Sequence, residues 1–153
     1  MHGNRTFIGL TLLLLTGLLL GACSVAQAPL TDTTVLEGDQ ANAAYETVKT
    51  AAENVVTGLV NADYSTFSKD FSAEVAKGMD ENAFNDLLTT FQTDLGSITS
   101  SELTAVLQDD QYTTLVYTFS FEKNGSVVMR VVFDRGDSDT VTGIWFDSPV
   151  LIK

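Results

Sequence analysis

The sequence predicts an α+β domain in which N-terminal helices pack on a curved four-stranded antiparallel sheet, and three observations carry this. Across residues 41–96 the apolar positions recur every three or four residues, the spacing of helices with one buried face. From Ile98 onward the period falls to two and the residues become β-branched and aromatic, the spacing of strands. Asn124-Gly125 lies between two such runs, where a tight hairpin turn needs residues that tolerate positive φ. Helices that precede a meander must cover its apolar face, so both halves belong to one domain.

The first helix, residues 41–62, gathers Ala44, Val48, Ala51 or Ala52, Val55 and Leu59 on one face, with Glu46, Lys49, Glu53 and Asn54 on the other. The stretch Asn61-Ala62-Asp63-Tyr64-Ser65 breaks that period, and Asp63 or Ser65 can cap a short second helix carrying Tyr64, Phe67 and Phe71. After Gly78, Asp80 and Glu81 put acid in the first turn of a third helix, whose face is Phe84, Leu87, Leu88, Phe91 and Leu95. Gly96 ends it, as a residue free to turn left-handed.

Four strands follow. The first covers residues 102–108 and turns at Asp109-Asp110. The second, 112–122, sets Leu115, Tyr117, Phe119 and Phe121 toward the helices and Thr114, Val116, Thr118 and Ser120 away from them. In the third, 126–134, Val127, Met129, Val131 and Phe133 point inward, opposite Val128, Arg130 and Val132. A turn over residues 135–139 leads to the fourth, 140–147, where Val141 and Trp145 share one face and Ile144 and Phe146 the other. Gly143 is a candidate bulge there.

Ahead of the domain, Arg5 precedes an apolar run from Phe7 to Leu20. That run fits the ~7–15 residues of an export-signal core and is shorter than the ~20 of a spanning helix. It stops at Leu20-Gly21-Ala22-Cys23, which resembles the lipobox of bacterial lipoproteins. The resemblance implies a leader over 1–22, a lipidated Cys23 and an extracytoplasmic protein held on the cell envelope by its acyl chains. Residues 23–40, with Pro29 and no sustained period, read as a tether to a domain over 41–153. A lone cysteine in an exported chain has no disulfide partner within the chain, and lipidation accounts for both its number and its place.

Twenty Asp and Glu against eight Lys and Arg give the chain a net charge of −12, and loss of Arg5 with the leader makes it more acidic. Such a surface repels phosphate backbones, so nucleic acid is not an expected partner. His2 is the one histidine and leaves with the leader, which excludes Ser-His-Asp and Cys-His nucleophilic schemes and histidine metal sites. Asp134, Asp137 and Asp139 lack the spacing of a calcium loop, because Trp145 stands where the acid at the twelfth position belongs. No cofactor and no metal is expected.

The run over 51–146 resembles the small exported domains of unknown function, of the 3887 type, with the cone-shaped fold of nuclear transport factor two. The first helix, the Ala62-Asp63-Tyr64 break, Leu95-Gly96, the aromatic second strand and the closing Val141-Thr142-Gly143-Ile144-Trp145-Phe146 carry the resemblance. It implies a fold, and little about activity. Tyr117, Phe119, Met129 and Trp145 are either plain core or the lining of an apolar pocket. The expected function is a non-catalytic binding or accessory module for a small apolar ligand or an envelope protein. The alternative is a carboxylate-driven isomerase or hydrolyase in the cup, for which Glu122, Asp147 and Tyr117 are the candidates. Outward Val116, Val128 and Val132 make the other sheet face either a homodimer contact or the half-wet side of a monomer.

The lipobox generates a direct test. The expressed protein should partition with the detergent-rich phase on phase separation, and Cys23→Ala should move it to the aqueous phase. A wild-type chain found in the aqueous phase would refute the anchor.

Overall fold

The computed structural model describes residues 32–151, so the leader, Cys23 and the first part of the tether lie outside the described residues. The element order is β1 (Thr34–Leu36), α1 (Gly38–Val60), α2 (Tyr64–Phe67), α3 (Ala73–Gly78), α4 (Glu81–Asp94), β2 (Ile98–Gln108), β3 (Tyr112–Phe121), β4 (Ser126–Asp134) and β5 (Asp137–Asp147). The class is α+β as expected, with an open antiparallel sheet in the order β1-β2-β3-β4-β5. The sheet has five strands, which corrects the expected four. The extra strand comes from the stretch read as tether: Thr34, Val35 and Leu36 pair with Gln108, Leu107 and Val106. Leu36 packs on the core, so a three-residue strand is held by one inward side chain and a ladder at the sheet edge. Helix α1 likewise starts at Gly38, inside the expected tether.

Three of the four helices begin on side-chain caps. Asp63 accepts the amides of Ser65 and Thr66, Ser72 that of Val75, and Asp80 that of Ala83. The hydroxyls of Thr66 and Ser65, bonded to the Asp63 carboxylate, hold its pKa below the ordinary range. Helix α3 was not expected. It is six residues long with none buried, so its sequence carries no apolar period. Helix α4 ends as the sequence predicts: Gly96 has φ +83°, and Leu95 and Gly96 both donate to Phe91 O.

Helix α1 contacts both β2 and β5, so it runs across the whole sheet. Its Val48, Ala51, Ala52, Val55 and Leu59 are buried against the inner face. Gly58 lets the chain double back: a Cβ there would lie 2.2 Å from Phe67 N, and Asp63 N donates to Gly58 O at 2.8 Å. A glycine within a helix costs ~0.5–1 kcal/mol, and here it admits the backbone of α2. Phe67, thus placed, stacks on Phe84 of α4 with ring centroids 4.6 Å apart. Phe91 of α4 then reaches Phe121 of β3 at 5.2 Å and Phe146 of β5 at 6.1 Å.

The segment between α2 and α3 ties the helices to the sheet edge. Val141 N donates to Asp70 O and Ser72 N to Val141 O, while Asn54 of α1 donates to the Asp70 carboxylate at 2.7 Å. One short stretch thereby fixes α1, α3 and β5 together.

Candidate functional site

The four residues singled out as pocket or core do not come together. Tyr117, Phe119 and Met129 are buried on the inner face, within the core. Trp145 stands opposite Arg130 on the outer face and is 54% exposed. The cause is one extra residue. Between the pairs Val132–Gly143 and Phe133–Val141 the register skips Thr142, a bulge that resets the alternation. Val141 faces inward before it, and Ile144 and Phe146 pack on the core after it. Trp145 is left outside, with its ring laid over Gly143, where a Cβ would sit 2.3 Å from the indole. Trp145 is therefore not core; with Val75, Met79 and Ile144 it lines a hollow of about 270 Å³ beside α3.

The space between the helices and the inner sheet face is occupied. Phe119, Met129 and Phe133 of the sheet and Phe67 and Phe84 of the helices are all fully buried. Tyr117 places its hydroxyl against that of Tyr45 on α1, and burial raises the pKa of both phenols above the ordinary range, helped by the charge of Glu53 at Tyr45 and by Tyr45 itself at Tyr117. Among the described residues the buried polar side chains are Thr113 and Ser148. The candidate acids lie elsewhere. Glu122 is exposed and accepts Ser97 N at 3.0 Å, which fastens the junction after α4. Asp147 is exposed and pairs with Arg130 on the outer face. Asp134 Oδ1 accepts Gly136 N and Asp137 accepts the Thr140 hydroxyl, and no cluster able to hold a metal occurs among the described residues.

The outer face is the unusual surface. Cross-strand pairing aligns Val35, Leu107, Thr114, Val132 and Gly143 in one row, and Ala105, Val116, Arg130 and Trp145 in the next. Val35 is 57% exposed. Val116, Val128 and Val132 are half-buried on this side, as their alternation predicts. The third row, Glu102, Thr118, Val128 and Asp147, is the polar margin. An antiparallel sheet facing only water alternates apolar-in with polar-out, and two of these rows break that rule. Gly143 marked a candidate bulge in the sequence, but which residue the ladder skips, and so which face Trp145 takes, depends on the pairing with β4.

The two faces generate opposite mutational outcomes. Phe119→Ala should lower stability by about 3–5 kcal/mol, the cost of emptying a core ring site. Trp145→Ala should cost less than about 1 kcal/mol, as an exposed position does. Denaturant unfolding of both variants checks this, and equal losses would return Trp145 to the core.

Comparison with known proteins adds the family. No helix among the described residues is long and apolar enough to cross a membrane. No curated protein and no solved structure matches the chain. The model of the family described as "Protein of unknown function (DUF3887)" matches residues 52–138, from the middle of α1 to the start of β5. That span holds the α1 to α2 reversal, α4 and the β2–β4 meander, and the chain belongs to the DUF3887 family.

Proposed function

We propose that this chain is a lipid-anchored, extracytoplasmic binding module with a cone fold like that of nuclear transport factor two, working without catalysis through its outer sheet face. The observation that carries the reading is Trp145, exposed on a sheet face beside half-buried valines. A carboxylate-driven isomerase or hydrolyase would need an acid on the floor of the cup, and that floor is packed with Phe119, Met129 and Phe133. Lipidation at Cys23 would hold the module on the envelope, and β1 takes up residues 34–36 of the stretch that the sequence reads as tether.

The occupant of the outer face is a second copy of the chain. On a protein of net charge −12, the charged groups in the rows above are Glu102, Arg130 and Asp147, and Arg130 neutralises Asp147. Like-charge repulsion between copies is therefore small on this face. Its extent also suits: four strands of about ten residues at ~3.3 Å, ~4.8 Å apart, with the three-residue β1 at the edge, cover about 700 Å². A stable interface needs about 800 Å² per partner.

The single tryptophan makes the test direct. The chain from Thr31 onward should sediment as a dimer at high micromolar concentration, and its indole emission should shift to the blue as concentration rises. Val132→Lys puts a charge beside Trp145 and should give a monomer with red-shifted emission throughout. A monomeric wild type, or a dimer indifferent to Val132→Lys, would turn the face over to an envelope protein or a small apolar ligand and end the dimer reading.

A further inference from the structure

Outside the core, a groove of about 520 Å³ separates the first half of α1 from the sheet end where β2 turns into β3 and β4 into β5. Its size lies within the ~300–1,000 Å³ of small-molecule sites. The floor is apolar, formed by Leu36, Ala44 and Val48. The facing wall is polar, formed by Gln108, Thr113 and Asp134. Alanine rather than a larger residue on α1 keeps the space open.

The polar wall has unused capacity. Thr113 is 2% exposed, and its hydroxyl oxygen accepts the Gln108 Nε2 at 3.0 Å. The hydroxyl proton and Gln108 Oε1 remain for a further partner. Asp134 spends Oδ1 on Gly136 N at 2.7 Å, and Oδ2 accepts no hydrogen bond from the described residues. Arg135 also lines the groove, with one guanidinium nitrogen engaged in donating to Asp109 O at 2.8 Å. The adjoining turns add Asp109, Asp110, Asp137 and Asp139, so the field at the groove is negative.

We propose that this groove binds a small organic cation, with an aliphatic chain on Leu36, Ala44 and Val48 and an ammonium or guanidinium head on the Asp134 carboxylate. A charge-assisted hydrogen bond to Oδ2 uses the one open carboxylate oxygen, and a hydroxyl donor and an amide acceptor beside it orient the head. An anion meets the acidic turns, and a neutral molecule of equal length forgoes the charge-assisted bond. The site is independent of self-association on the outer sheet face, since Leu36 and Thr113 point to the opposite side of the sheet from Val35 and Thr114.

The test is a titration of the full chain in detergent with putrescine, butanediol and adipate, three ligands of similar length and different charge, read by backbone amide shifts of Thr113 and Ser138. Putrescine should move these amides saturably, and the diol and the dianion should not. Asp134→Asn should weaken the response at least about tenfold. Ala43→Leu, at an exposed α1 position lining the groove, should abolish it by filling the space while leaving the fold intact. A putrescine response matched by butanediol, absent, or unchanged by either substitution overturns the proposal.

Discussion

The rest of this structure depends on covering one apolar sheet face with the two long helices α1 and α4. Phe119, Met129, Leu115 and Phe133 present a continuous apolar surface with essentially no exposure. Helix α1 alone cannot roof it, so α4 brings Phe84 and Phe91, and α2 supplies Phe67 between them. Burying aromatic rings of this size contributes about 1.5–3 kcal/mol each, enough to justify a glycine inside α1. Gly58 admits the backbone of α2 where a side chain would collide with Phe67. The reversal after α1, the Asp63 cap and the bonds from Asp70 and Ser72 to Val141 all follow from holding Phe67 in that place.

A filled interior decides where chemistry can occur. The space between the helices and the inner sheet face is filled by rings and a methionine. Surfaces available to a partner are therefore peripheral, and among them are the apolar rows of the outer sheet face and the groove at the hairpin end of the sheet. They differ in character. The outer face is broad and weakly charged, suited to another protein surface. The groove is narrow and half polar, suited to a small molecule.

Long periodic elements were legible in the sequence. The inner faces of α1 and α4, the alternation of β3 and β4, the Asn124-Gly125 turn with Asn124 at φ +58°, and the Gly96 stop all follow from local pattern. What escaped shares a physical reason: the determining contact is tertiary. Strand β1 is three residues long, and only its pairing with β2 makes it a strand. Helix α3 has no fully buried side chain and only Val75 packed on the core, so no period marks it. Trp145 depends on whether Thr142 is counted in the ladder, and a register shift of one residue exchanges the two faces of a strand. The groove joins Leu36 and Val48 to Thr113 and Asp134, residues too far apart in sequence for any local spacing to reveal.

The central claim is that the interior is packed shut, and methionine oxidation measures it directly. Met129 is fully buried on the inner face of β4, while Met79 is only half-buried at the end of α3. Peroxide converts an accessible thioether to the sulfoxide and spares one that water cannot reach. Under native conditions, mass spectrometry should find Met79 oxidised and Met129 intact, with Met129 reacting only when denaturant unfolds the domain. Oxidation of Met129 in the native protein at a rate near that of Met79 would mean an open, solvent-filled cup and would contradict the account.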